Sequence, residues 1–114
     1  MASTSRQNKK YNRHKLMCMI ISNPHVTYRE IADAIGISTG SAYNLMTTLI
    51  SKGIVYFEIS DKNHNSQKYC YKLSNIGIRE KAILSRDILE LKKIELVLLQ
   101  EEIKTLELEV SSKL

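Results

Sequence analysis

The chain has 114 residues, is 43% hydrophobic and 25% charged, and carries a formal net charge of +5. That suffices for one modest domain with an extension and is too little for two full domains. The longest apolar run, residues 16–21, falls far short of the ~20 residues a membrane span needs, and the basic N-terminus lacks a signal peptide's apolar core, so a cytoplasmic protein without membrane association is expected.

The charge is unevenly spread. Residues 1–85 hold 12 Lys/Arg against 5 Asp/Glu, whereas residues 86–114 hold 5 against 7. A basic part joined to a mildly acidic tail suits two tasks, one of them meeting a polyanion. Cys18 and Cys70 lie in apolar stretches, form no close pair and have no histidine at ligand spacing. They read as reduced core residues, and no metal or cofactor is expected.

Residues 1–10 carry Arg6, Lys9 and Lys10 without an acid, a basic N-terminal arm, mobile or only partly helical, that is able to lie along phosphates. A first helix is expected over residues 11–22, burying Leu16, Met17, Ile20 and Ile21. Asn23-Pro24 ends it, because the residue before proline is pushed out of the α region. His14 and His25 stand isolated and take no functional role.

Thr27 with Glu30 three residues on is a capping box that starts a second helix, and Ile31, Ala32 and Ile35 give it one apolar stripe. Gly36 suits a left-handed turn, Ile37 points inward, and Ser38 is a good N-cap for a third helix running to about Lys52. In that helix Ala42, Leu45, Met46 and Leu49 face the core, which leaves Ser38, Thr39, Gly40, Ser41, Tyr43, Asn44 and Thr47 outside. This is a helix-turn-helix layout. Gly53 follows, and the period then changes. Residues 54–59 and 68–73 read as strands around the polar loop 60–67. A hairpin straight after a helix-turn-helix is a wing.

From Ser74, a plausible N-cap, no proline and no glycine after Gly77 interrupts a helix to the end. At 1.5 Å per residue it would span ~55–60 Å, and it must bury a stripe to be stable. Leu96, Leu99, Ile103, Leu106 and Val110 alternate in spacings of three and four, the a/d seam of a coiled coil, with Leu89 in the same frame. A different stripe, Leu84, Ile88, Leu91 and Leu98, serves the earlier part. Glu95, Gln100, Glu102, Glu107 and Glu109 flank the seam. A parallel pair would set Glu102 against Glu107, while an antiparallel pair sets Lys93 against Glu107 but also Glu95 against Glu109, so the charges do not fix the orientation, and an antiparallel pair is the expectation.

The expected fold is therefore mainly α with a small β-hairpin: a basic arm (1–10), a winged helix-turn-helix DNA-binding domain (11–74) and a long dimerisation helix (75–114), coiled coil from about 89. The stretch Tyr69-Cys70-Tyr71-Lys72-Leu73-Ser74-Asn75-Ile76-Gly77-Ile78-Arg79-Glu80-Lys81-Ala82 resembles the strand-into-helix junction of MarR-type winged-helix regulators, most of all the short exopolysaccharide-associated group. The resemblance extends over about residues 15–110, through residues 30–49, Gly53-Ile54-Val55 and the Glu/Leu-rich residues 89–110. Ser74-Asn75 stands where the family has Thr-Pro, which keeps the cap. The family implies dimeric, sequence-specific DNA binding and transcriptional control.

The expected partners are double-stranded DNA and a second copy of the chain. Thr39, Ser41, Tyr43, Asn44 and Thr47 are the candidates to read base edges, since Asn can bond adenine bidentately and Thr methyls can touch thymine. Ser38 and Gly40 bring the helix N-terminus to the DNA backbone, with Arg29, Lys52, Lys68 and the wing-tip residues Lys62, Asn63 and His64 on phosphates or the minor groove. Leu89, Leu96, Leu99, Ile103, Leu106 and Val110 form the dimer seam. The function read from this is a homodimeric transcriptional regulator, in the sense of a repressor. The rival readings are a winged-helix and coiled-coil protein-interaction module, or DNA binding for replication or plasmid partition. No nucleophile with a base, carboxylate pair or phosphate-cradling glycine loop suggests an enzyme. A small-molecule effector has no motif here, although a pocket between long helices would leave none.

Overall fold

The computed structural model describes residues 5–60 and 68–113. The elements follow as α1 (Ser5–Ser22), α2 (Tyr28–Ile35), α3 (Thr39–Ser51), β1 (Val55–Ser60), β2 (Lys68–Leu73) and α4 (Asn75–Lys113). This is a winged helix-turn-helix followed by a long C-terminal helix. The chain divides into two units, Met1–Leu84 and Ser85–Leu114.

In the first unit α1 begins at Ser5, earlier than the expected start near Tyr11. Nothing between Ser5 and Ser22 is proline or glycine, so nothing stops the helix from taking in residues 5–10 of the basic arm. It ends where expected. Asn23 Oδ1 accepts from the His25 N–H at 3.1 Å, a local turn that leads into Thr27. The capping box is formed in both directions: Glu30 N–H donates to Thr27 Oγ1 at 3.1 Å, and Thr27 N–H to Glu30 Oε1 at 2.9 Å.

Helix α2 closes on Gly36, whose φ of 84° puts it in the left-handed region where a Cβ would be strained. Helix α3 closes in the same manner. Gly53 at φ 74° donates to Ile50 O at 3.0 Å, and Ile54 N–H donates to Leu49 O at 3.0 Å, the paired bonds of a Schellman end. Ile54 and Leu49 are both buried, which supplies the apolar contact that commonly accompanies this motif.

The core collects Leu16, Met17 and Ile20 of α1, Val26, Ile31 and Ala32, Ala42, Met46 and Leu49 of α3, Ile54, Val55, Tyr71 and Leu84. Ile35, Ile37 and Leu45 are half-buried and pack against it. Ile21 corrects the sequence expectation, being 59% exposed. At about 100° per residue it lies roughly 90° round the helix from the middle of the Leu16–Met17–Ile20 arc, past its edge. Cys18 and Cys70 are free thiols, half-buried rather than core residues as expected: Cys70 stands opposite Glu58 on the outer face of the hairpin, and Cys18 Sγ lies 3.9 Å from His14 Nδ1, so His14 is not isolated.

Strands β1 and β2 pair antiparallel with Val55 opposite Leu73, Phe57 opposite Tyr71 and Ile59 opposite Tyr69. These six share one face, and its base enters the core through Val55 and Tyr71. The outer edge of β2 is not left bare: Tyr71 N–H donates to Pro24 O at 2.8 Å, and His25 Nδ1–H donates to Tyr69 O at 3.1 Å. His25, isolated in sequence, thus has a structural task.

Ser74 caps α4 and ties it back to the start of the hairpin. Gly77 N–H donates to Ser74 Oγ at 3.0 Å, while Ser74 N–H donates to Ile54 O at 3.0 Å and its hydroxyl also reaches the carbonyl oxygens of Gly53 and Ile54. The first turn of α4 lies so close to Ile54 that a Cβ on Gly77 would stand 2.2 Å from Ile54 O. Only glycine fits without a backbone shift.

The second unit is the continuation of α4. Lys92–Glu95 and Lys93–Glu90 pairs at 3.3 and 3.9 Å lie exposed along it and contribute little. No helix among the described residues is long and apolar enough to cross a membrane.

Substituting Gly77 by Ala should lower stability by about 2 kcal/mol or more, the scale of forced overpacking. Denaturant unfolding checks this, and a midpoint equal to that of the parent chain would contradict the close approach.

Candidate nucleic-acid interface

Helix α3 owes its position to its two ends. At the start, Ser41 N–H donates to Ser38 Oγ at 3.0 Å, and the Ser38 hydroxyl in turn donates to Ser41 Oγ at 2.9 Å. Ser38 is therefore committed to the cap on both counts, and what it offers a ligand is the helix N-terminus it organises. Gly40 is helical and has open space about its Cα, with Ser38 Oγ at 3.9 Å as the nearest atom to an added Cβ.

With Ala42, Met46 and Leu49 buried, the outer face of α3 presents Thr39, Gly40, Ser41, Tyr43 and Asn44 together to solvent. Thr47 differs. It is half-buried, and its hydroxyl donates to Asn44 O at 3.1 Å, so it presents chiefly its methyl group and an acceptor. No Lys, Arg, Asp or Glu lies within α3. The face is made of hydroxyls, one phenol and one amide.

The cations stand around it. Arg29, in the first turn of α2, and Lys52, at the C-terminal cap of α3, are both exposed. Lys72 is engaged with Glu58 at 3.6 Å across the outer face of the hairpin. The expected wing contacts Lys62, Asn63 and His64 lie outside the described residues, and of Lys68 only the backbone, paired opposite Ser60, is described. Lys15, which sequence reading did not single out, spends its ammonium on Ala34 O at 2.8 Å, near the C-terminus of α2.

One feature of the interface left no motif in the sequence. The Tyr43 ring, 51% exposed, meets the Tyr28 ring edge to face at a centroid distance of 5.3 Å and 85°. The Tyr71 hydroxyl donates to the Tyr28 hydroxyl at 3.2 Å. Burial, and next the bond to Tyr28, push the Tyr71 phenol above the ordinary tyrosine range, so it remains a donor. Tyr71 in turn stacks on Tyr69, and Phe57 meets both edge-on. A sequence signal did exist: a tyrosine directly after a helix cap, and another in the second turn of the next helix. Its meaning depends on the crossing of α2 and α3, which spacing alone does not give.

The expected seam residues form a separate candidate surface. Leu89, Leu96, Leu99, Ile103, Leu106 and Val110 are each 48–61% exposed in the single chain. Among the described residues no group of three or more His, Cys, Asp and Glu is placed to hold a metal ion.

Residues 10–56 match the family described as winged helix-turn-helix DNA-binding. No curated protein matches the sequence. Solved structures match its fold. The adhesin competence repressor AdcR of Streptococcus pyogenes superposes at a TM-score of 0.62 and 13% identity, over 79% of this chain and 65% of its own. MepR of S. aureus, in a structure of its complex with DNA, does so at 0.61 and 16%, over 83% and 63%. Staphylococcus aureus MarR, crystallised with salicylate and kanamycin, gives 0.54 and 18%, over 76% and 57%. The chain spans less than two thirds of each of these proteins. The fold is that of the MarR-type winged-helix regulators, as the resemblance at residues 69–82 implied.

The Ser38 geometry has a direct consequence. Ser38→Ala should cost about 1 kcal/mol, while Ser38→Asp, itself a good cap, should hold stability near the parent value. Thermal unfolding of the two variants checks this, and equal losses in both would mean that the cap is not what Ser38 contributes.

Proposed function

We propose that the chain is a sequence-specific double-stranded DNA-binding transcriptional regulator that acts as a homodimer, with α3 in the major groove. The single observation that carries this is the outer face of α3. Five small or polar residues, Thr39 to Asn44 without Ala42, are gathered on a helix whose both ends are capped, beside exposed Arg29 and Lys52. That face is well suited to base edges, where hydroxyls, an amide and methyl groups find partners.

The roles divide accordingly. Asn44 reads adenine through its amide, and Thr39 and Ser41 make the less discriminating contacts. Tyr43 holds a phosphate through its hydroxyl. Gly40 and the N-terminus of α3 admit the backbone, and Arg29 and Lys52 supply charge, joined by the wing residues Lys62, Asn63, His64 and Lys68. No bidentate guanine contact comes from α3, because it has no Arg or Lys.

Dimerisation is proposed through α4. Six apolar side chains in one a/d frame are left exposed in a single chain, and pairing with a second copy removes them from water. Two α3 helices held by such a dimer would meet half-sites about 34 Å apart or a multiple of that, on a pseudo-palindromic duplex. Repression is the output proposed for such a site, since a dimer seated on it keeps other proteins off the same duplex.

Selection of bound sequences from random duplex DNA tests binding, symmetry and half-site spacing together. Equal affinity for selected and random duplexes would remove the sequence-specific reading, and a monomer that ignores DNA would favour a protein-interaction module. Asn44→Ala should relax discrimination at one base pair per half-site, by about 1–3 kcal/mol, with the fold intact in circular dichroism. Ile103→Lys should give monomers by sedimentation and lose most duplex affinity, while leaving the unfolding of residues 1–84 unchanged. A dimer of normal affinity would place the interface elsewhere.

A further inference from the structure

We propose that Tyr28 is a positioning residue for DNA recognition: wedged between the buried phenol of Tyr71 and the exposed ring of Tyr43, it fixes the direction in which Tyr43 leaves the recognition helix. This rests on the reading of α3 as the base-contacting helix.

Tyr43 is the one large side chain among residues 38–44. On an isolated helix an exposed tyrosine would sample several rotamers and would lose that freedom on binding. Here its ring is met edge to face by Tyr28 at 5.3 Å, an arrangement that sets the positive edge of one ring against the negative face of the other.

Tyr28 can hold Tyr43 only if it is itself held, and it is, from two sides. It is the first residue of α2, enclosed by the capping box that Thr27 and Glu30 close around it. Its hydroxyl accepts from Tyr71 at 3.2 Å. Tyr71 is 5% exposed, and its own backbone N–H is spent on Pro24 O at 2.8 Å. The position of Tyr43 is thus referenced through Tyr28 to the base of the hairpin rather than to α3 alone. Recognition helix and wing share one aromatic brace.

The consequence is preorganisation. With the ring already placed, binding need not order it, and restoring that freedom should cost about 3- to 10-fold in affinity, the range for one immobilised side chain. The ring of Tyr28 matters most to Tyr43, and its hydroxyl matters to Tyr28 itself. Tyr28→Leu therefore removes the brace, whereas Tyr28→Phe keeps its ring.

The test uses the full chain with 3-fluorotyrosine at position 43 and two readouts. In the free protein, the fluorine resonance should stand apart from that of an exposed tyrosine, shift part of the way toward the exposed value in Tyr28→Phe, which keeps the ring but loses the bond from Tyr71, and reach that value in Tyr28→Leu. On the preferred duplex, Tyr28→Leu should weaken binding about 3- to 10-fold in the parent chain and have no further effect in a Tyr43→Ala background. Circular dichroism confirms that each variant is folded. A fluorine signal indifferent to Tyr28→Leu overturns the proposal, as does an equal loss of affinity in both backgrounds, which would make Tyr28 a separate contact. A chain that binds no duplex instead removes the reading of α3, and the fluorine signal then still decides whether Tyr28 holds Tyr43.

Discussion

The first unit depends on the small space around the Ile54 carbonyl. Gly53 ends α3, Ile54 fills the core beside Leu49, β1 begins at Val55, and Ser74 and Gly77 of the α4 start both close on the same carbonyl. Three elements therefore meet at one backbone oxygen. The positive φ of Gly53 sets the angle at which the chain leaves α3, and the missing Cβ at Gly77 lets α4 approach closely enough to be capped by Ser74. A change at either glycine would reach the hairpin and α3 together. The motif is rigid at its base for this reason, and a rigid base is what a set of short side chains needs if it is to discriminate among base pairs.

Most of this was legible in the residues, and each reading rested on a local rule. The capping box at Thr27, the left-handed turn at Gly36 and the cap at Ser38 are short-range chemistry, and the structure has all three. So is the change from period 3.6 to period 2 after Gly53, which placed both strands to within one residue. The misreadings arose where a rule is permissive. Nothing in residues 5–10 forbids a helix, so charge made an arm of what are the first turns of α1. Ile21 is apolar and adjacent to a buried arc, but burial depends on what lies opposite, and spacing does not say. The contacts that sequence could not give are those between elements: Tyr28 with Tyr43, His25 with the β2 edge, and Lys15 with the end of α2.

The composition of the α3 face limits how the proposed site would work. A helix without charge cannot supply the sequence-independent attraction that dominates most protein–DNA affinity. That attraction must come from Arg29, Lys52 and the hairpin, which surround α3 without lying on it. Strength and discrimination are thereby placed on different elements. The aromatic brace gives a physical reason why they need not drift apart, since it connects β2, which continues from the wing, to the second turn of α3.

The second unit carries more apolar surface than one seam uses. Leu96, Leu99, Ile103, Leu106 and Val110 occupy one side of the helix, whereas Ile94, Val97, Leu98 and Leu108 fall on the other at 3.6 residues per turn, and these too are exposed in the single chain. The heptad frame accounts for the first set only. Two helices paired through the a/d seam would cover that side and leave the second in water. Ile94, Val97 and Leu98 form one apolar patch, while Leu108 stands ~15 Å farther along the helix, beyond Glu101, Lys104 and Thr105. A partner that covered the long helix at residues 94–99 would therefore have to touch it from two directions, a stricter requirement than the regular spacing of its leucines conveys.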